Sequence, residues 1–281
     1  MFHREEGRVQ KKDIELIREE AASFLEKYLE LEKISGSDVQ FKNPIKDLLI
    51  KNTHDAAKAA TLVRKKWKMG NLPLKNIINL LEGKGVKIFE VEQYEFEGFA
   101  AWAGEIPVMV LNTNPEREIT RLRFTALHEL AHLVIKLADE NMKNEQIERI
   151  CDAFASELLY PIEVLYADLG KNRSQVSMSE LRGVKSLYGV SIAAIMTKAV
   201  MNGVIDANGY RLWKKNYKEL YAARSDSFGS YDGEETSNRF NHLVFKSLIE
   251  GKISTNKAVS LSKISASQLN DEMMMLNQIY N

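Results

Sequence analysis

The feature that most constrains this chain is one short stretch, Phe124-Thr125-Ala126-Leu127-His128-Glu129-Leu130-Ala131-His132-Leu133-Val134-Ile135, in which eight of twelve residues are apolar. The apolar side chains go round the whole helical cylinder, which predicts a helix buried on most sides. His128, Glu129 and His132 lie within it. Because burying two imidazoles and a carboxylate without partners costs several kcal/mol, we expect another group to pair with them.

The spacing of these three residues indicates what that group is. His128 and His132 are four residues apart, so they share a helix face and can converge on one metal ion. Glu129 is turned by about 100° from His128 and can reach a water molecule at the metal. This is the His-Glu-x-x-His arrangement of zinc peptidases, with the glutamate as general base. The alternative is a pair of core histidines satisfied by other groups.

A zinc site of this kind needs a third protein ligand, and the next predicted helix, residues 144–160, offers candidates. Glu148 and Asp152 are four residues apart and share a face of this helix, so either carboxylate could reach the metal. Spacing alone does not choose between them. Cys151 is a further possible ligand, although a small buried apolar role suits it better.

Hydrophobic periodicity along the chain predicts an α+β fold, mostly helical, with a small antiparallel three-stranded sheet packed on the motif helix. The other predicted helices cover residues 10–33, 54–68 and 73–83, and the strands cover 86–91, 96–103 and 106–112. Gly104-Glu105 is expected to form a two-residue hairpin turn between the second and third strands.

The third strand has a particular consequence for the metal site. Pro107 cannot donate a ladder hydrogen bond, so it belongs near a strand start or on a sheet edge. Asn114 and Pro115 form a strong helix start, which we expect to open the motif helix directly after this strand. We therefore expect residues 106–112 to place an open sheet edge near the metal.

Composition divides the chain into four parts. We expect an N-terminal helical region at 1–70, a metal-binding core with its following helices at 71–224, a Ser-, Gly- and Asp-rich flexible linker at 225–235, and a small helical module at 236–281. Within that module, residues 253–269 have the rhythm of two short helices about a tight turn, which is typical of a DNA-binding or protein-docking unit. Its few basic residues favour docking or packing.

The net charge of zero hides an uneven distribution. Residues 81–170 carry 8 Lys+Arg against 17 Asp+Glu, whereas the segments on either side are net positive. An acidic middle favours a basic partner. The alternative is that the charged surface serves only solubility. One cysteine, no signal-peptide pattern and no apolar run of membrane length predict a cytoplasmic protein.

Two stretches, residues 121–132 and 148–161, resemble the ImmA/IrrE-type metallopeptidases. In that family the third zinc ligand is the glutamate six residues before the Phe of a Phe-Ala pair, and here that pair is Phe154-Ala155. The resemblance therefore implies that Zn²⁺ is held by His128, His132 and Glu148. It leaves Asp152 to orient a ligand histidine or to serve as an alternative ligand.

The chain also departs from the family pattern. Ala131 stands where the family usually has Gly, and Cys151-Asp152 replaces the common Ala-Asn. Many relatives carry a helix-turn-helix DNA-binding domain before this region, and the residues before Asp13 are too few to form one. We therefore expect the protein substrate to be supplied in trans.

The function that the resemblance implies is zinc-dependent endoproteolysis of a regulatory protein. Its substrate would be a helix-turn-helix repressor or an antitoxin, and cleavage would derepress stress-response or mobile-element genes. Two alternatives remain open. One is a non-enzymatic regulator that keeps the metal for stability and binds DNA or a repressor, as a closed four-ligand site would indicate. The other is a zinc hydrolase with a non-protein substrate.

Overall fold

The computed structural model describes residues 11–92, 96–223, 228–262 and 265–280. The helices are α1 (Lys11–Ser35), α2 (Thr53–Lys66), α3 (Ile77–Gly83), α4 (Ile119–Val134), α5 (Asn144–Leu159), α6 (Ile162–Leu169), α7 (Met178–Tyr188), α8 (Ile192–Met201), α9 (Ala207–Ala223), α10 (Arg239–Ile249), α11 (Thr255–Leu261) and α12 (Ala266–Tyr280). The strands are β1 (Leu49–Ile50), β2 (Lys87–Val91), β3 (Gly98–Ala103), β4 (Ile106–Asn112) and β5 (Lys136–Leu137).

The mostly helical α+β fold is confirmed, but the three-stranded sheet is mixed rather than antiparallel. The strand order is β2-β4-β3, with β3 antiparallel and β2 parallel to β4. Gly104 adopts a positive φ of 63° in the predicted hairpin turn between β3 and β4. The parallel pair arises because the chain crosses from β2 to the far edge of the sheet and returns as β4 between the two. Periodicity shows where strands lie but not this order.

The order corrects a second expectation, because β4 is the central strand and not an open edge. Its residues from Pro107 to Asn112 are all buried, and Pro107 stands next to the strand start, as its missing N–H requires. The strand that lies open beside α4 is β3. It approaches α4 closely at Gly98, where an added β carbon would lie 3.0 Å from the Thr125 Cγ2 atom.

Helix α4 begins at Ile119, four residues later than predicted. The Asn114 side chain accepts a hydrogen bond from the backbone N–H of Glu116, and Asn112 accepts one from that of Asn114. These side-chain hydrogen bonds stabilise a turn that competes with a helix start. Two other helix ends fall close to the predicted residues. Helix α5 ends at Leu159, two residues before Pro161, and α1 ends at Ser35, directly before Gly36, whose φ is 62°.

The main core forms where α4 and α5 pack together, with α2 on the outer side of α5 and the sheet against α4. A second cluster joins α1 to the C-terminal helices through Tyr28, Leu31, Leu243 and Val244. The tail contains α10, the short helix α11 and the 15-residue helix α12, which extends well beyond the second short helix expected within 253–269. Residues 263–264, where the tight turn is expected, lie outside the described residues. Across the described residues, no single helix has the length and apolarity to cross a membrane. Helices α7 and α8 reach that length and apolarity only when they are taken together, and a bend of 107° separates them.

The predicted linker is fixed to the core over its described part, residues 228–235; residues 225–227 lie outside the described residues. Phe228 and Glu235 are buried, and the Tyr231 hydroxyl donates to the backbone carbonyl of Lys75. Glu235 also accepts from the backbone N–H groups of Ile77 and Ile78 at the start of α3. This segment therefore anchors the tail to the core.

Candidate metal centre

Helix α4 brings His128 and His132 together on one face, as their spacing predicts. Their Nε2 atoms lie 3.2 Å apart and the ring centroids 5.0 Å apart. The His128 side chain is 1% exposed and the His132 side chain 21% exposed. The two nitrogens thus face the same point, and one of the two rings is reachable from solvent.

Glu148 on α5 faces the same point from the neighbouring helix. One of its carboxylate oxygens lies 3.3 Å from His128 Nε2, and the other lies 3.4 Å from His132 Nε2. Two donor atoms at normal bonding distance from one tetrahedral zinc ion are about 3.3 Å apart. Two imidazole nitrogens and a carboxylate at this spacing therefore fit zinc in both chemistry and separation.

Asp152 contacts the opposite side of His128. Its Oδ1 atom lies 2.8 Å from His128 Nδ1, and its side chain is 41% exposed. A carboxylate on the far nitrogen fixes the ring orientation and tautomer of a ligand histidine and raises its basicity. Glu148 and Asp152 share a face of α5, but they meet different nitrogens of the same imidazole.

Cys151 takes the equivalent place behind the other histidine. Its Sγ atom lies 3.6 Å from His132 Nδ1, and the residue is 1% exposed. Ligand-type atoms of Cys151, His128 and His132 all fall within 4.8 Å of one another. The thiol nevertheless contacts the nitrogen of His132 that points away from Glu148. It therefore lies on the opposite side of the ring from the point where the two Nε2 atoms and Glu148 meet.

The electrostatics of this cluster favour positive charge. Burial by itself lowers the pKa of His128, but hydrogen bonds to Asp152 and Glu148 and the charge of Glu129 outweigh it, and the pKa is raised to about 9. Burial raises the pKa of Glu148, yet its contacts with His128 and His132 hold that pKa well below its usual range. A site that stabilises a cationic imidazole in this way also suits a divalent cation.

Glu129 lies beside this cluster on α4 and is 7% exposed. The negative charge of its carboxylate helps to raise the pKa of His128. The sequence placed it one residue after the first histidine, and the helix places it within electrostatic reach of the same centre.

Sequence reasoning missed the polar contacts between α4 and the edge strand. Glu97, directly before β3, accepts a hydrogen bond of 3.2 Å from the Thr125 hydroxyl and forms an ion pair with Arg121. Thr125 lies one helical turn before Glu129. No local pattern marks Glu97, because its partners are more than twenty residues away along the chain.

Comparison of the sequence with known protein families agrees with this geometry. Residues 81–199 match a peptidase family whose model is described as the IrrE N-terminal-like domain. The matched span runs from α3 to α8 and includes both helices of the metal centre. No curated protein matches the chain. Over residues 81–199, the chain is therefore similar to the ImmA/IrrE-type metallopeptidases.

Proposed function

We propose that this protein is a zinc-dependent endopeptidase that cleaves a regulatory protein. One observation carries the proposal: His128, His132 and Glu148 place their donor atoms 3.2–3.4 Å apart beside the buried Glu129. Structural pairing of core histidines would not require two Nε2 atoms and a carboxylate to face one point. The match of residues 81–199 to a metallopeptidase family supports the same interpretation.

The residues proposed to hold zinc are His128, His132 and Glu148, with Asp152 orienting His128. When bound, zinc lowers the pKa of water at the site to about 7 and polarises the peptide carbonyl. Three protein ligands leave one coordination position for substrate or water, which is the pattern of catalytic rather than structural zinc sites.

Glu129 is the proposed general base. Its carboxylate takes a proton from the attacking water and later delivers a proton to the amine nitrogen of the leaving fragment. Its low exposure, 7%, keeps bulk water away from the carboxylate. The Thr125–Glu97 hydrogen bond lies one turn away and holds β3 against the same helix.

The proposed substrate is a basic DNA-binding protein, either a helix-turn-helix repressor or an antitoxin, supplied in trans in the cytoplasm. The span 81–170 carries an excess of nine acidic residues, and such a field attracts a positively charged partner. The open edge of β3 beside α4 suits an extended peptide, because strand addition pairs backbones regardless of sequence. Cleavage of such a substrate would derepress stress-response or mobile-element genes.

The non-enzymatic alternative requires a closed site with four protein ligands. Cys151 is a candidate for the fourth ligand, but its sulfur lies at Nδ1 of His132 rather than beside Nε2. This placement favours three protein ligands and an exchangeable position, and hence the enzyme.

Co-expression of the chain with the product of the neighbouring gene tests the proposal. We expect that partner to be cut at one position by the wild type and to stay intact beside the Glu129→Gln variant, with immunoblotting and mass spectrometry as readouts. An intact partner beside a zinc-loaded wild-type protein would reject this substrate. Cleavage that is equal with both proteins would reject the mechanism.

A further inference from the structure

We infer that Cys151 is a positioning residue that orients His132 for metal binding through its ring Nδ1 atom. This inference rests on the proposed zinc site. It concerns a residue that departs from the family pattern, in which Ala is common at this position. The departure places a thiol, 1% exposed, in contact with one histidine of the centre.

The arrangement of α5 supports this role. Glu148, Cys151 and Asp152 stand at positions i, i+3 and i+4, so all three face α4. Glu148 reaches the Nε2 atoms of both histidines. Asp152 reaches Nδ1 of His128 at 2.8 Å, and Cys151 reaches Nδ1 of His132 at 3.6 Å. One helix face thus supplies a partner for both sides of the imidazole pair.

The tautomer of His132 determines which atom donates in its contact with Cys151. A neutral imidazole carries one ring N–H, and Nε2 must offer its lone pair if it is to bind a metal. The proton then lies on Nδ1 and can be donated to the Cys151 sulfur. Sulfur is a weak acceptor, whereas Asp152 offers His128 a carboxylate. The two histidines therefore differ in how firmly they are held.

His132 also depends more on its partner, because its ring is less confined by packing. Its side chain is 21% exposed against 1% for His128. An apolar side chain in place of Cys151 would fill the same space in the core but would give the Nδ1–H no acceptor. The ring could then turn away from the orientation in which Nε2 faces Glu148.

The test compares Cys151→Ser, Cys151→Ala and Cys151→Val in the full chain, with zinc dissociation constants from competition with a chromophoric chelator. Loss of a partner behind a ligand histidine typically weakens metal binding about 10–100-fold. We expect that loss in Cys151→Ala and Cys151→Val, and a smaller loss in Cys151→Ser, which keeps an acceptor. Ile150→Val is the matched control, since it trims the adjacent buried residue and should leave zinc affinity unchanged.

Thermal unfolding of the metal-free proteins separates this role from packing. We expect Ile150→Val to lower Tm without changing zinc affinity, and Cys151→Val to weaken zinc binding whatever its Tm. Unchanged zinc affinity in both Cys151→Ala and Cys151→Val would overturn the inference. A thiolate-to-metal charge-transfer band in cobalt-substituted wild type would also overturn it, because Cys151 would then be a ligand. Wild-type protein that binds no zinc would instead reject the proposed site itself.

Discussion

Helix α4 takes part in two polar clusters that differ in how far their side chains are exposed to solvent. Arg123, near the start of the helix, forms a buried ion pair with Glu235, and both side chains are 0% exposed. Arg123 also donates to the backbone carbonyls of Lys75 and Tyr188. Five residues later, His128 belongs to a cluster in which the partner carboxylates of Glu148 and Asp152 are 19% and 41% exposed.

The difference indicates which cluster is structural and which is chemical. The Arg123–Glu235 pair neutralises its own charge and is closed to solvent. Its role is therefore structural, and removal of either partner would leave a buried charge without its counter-ion. The histidine–carboxylate cluster is open on one side and favours added positive charge. It can therefore accept a cation from solution, which a closed ion pair cannot do.

The largest effect is expected at the open cluster. His128→Ala or His132→Ala removes one of three donors, so zinc per chain, measured by elemental analysis after desalting, should fall to background. His242→Ala, an exposed histidine on α10, is the matched control and should keep the wild-type content. Zinc content that is the same in all three variants would place the metal elsewhere.

The closed cluster should give a large effect on stability instead. Removal of one partner of a buried pair costs about 3–5 kcal/mol, so we expect Glu235→Ala or Arg123→Met to lower the free energy of unfolding by that amount in denaturant titrations. The exposed pair Lys257–Glu30 is the control, and Lys257→Ala should cost less than about 1 kcal/mol. Equal losses at both pairs would show that residues 228–235 are not anchored as the contacts suggest.

A smaller effect separates the two carboxylates of α5. Asp152→Ala should weaken zinc binding about 10–100-fold, because it removes the partner of His128 Nδ1 but no ligand. Glu148→Ala should weaken it considerably more, since it removes a proposed ligand. Zinc dissociation constants measured by chelator competition provide the comparison, and equal losses would make the ligand assignment wrong.

The smallest effect concerns the acidic surface around the centre. Because exposed charges are screened beyond about 10 Å at 0.1 M salt, cleavage of a basic repressor should slow several-fold between roughly 0.05 and 0.3 M salt. Cleavage should also be slow on generic unfolded protein. An enzyme that is insensitive to salt and degrades casein as readily as any repressor would contradict the proposed substrate class.

Local sequence predicted the elements of this site because they follow from helix periodicity. The spacing of His128 and His132 and the facing of Glu148 and Asp152 are properties of single helices, and packing α4 against α5 brings them together. Local sequence could not predict the parallel pairing of β2 with β4, since strand order depends on where the chain crosses. It also gave no sign that Glu235, in a Ser- and Gly-rich stretch, would reach Arg123, 112 residues away.

The most direct test of the central claim is Glu129→Gln in the purified full chain. This change keeps the size of the side chain and leaves the proposed ligands in place, but it removes the base. We expect zinc content equal to that of the wild type, and cleavage of the repressor reduced by about 10²–10⁴-fold. A zinc-loaded Glu129→Gln variant that cleaves at the wild-type rate would contradict the assignment of Glu129 and the mechanism built on it.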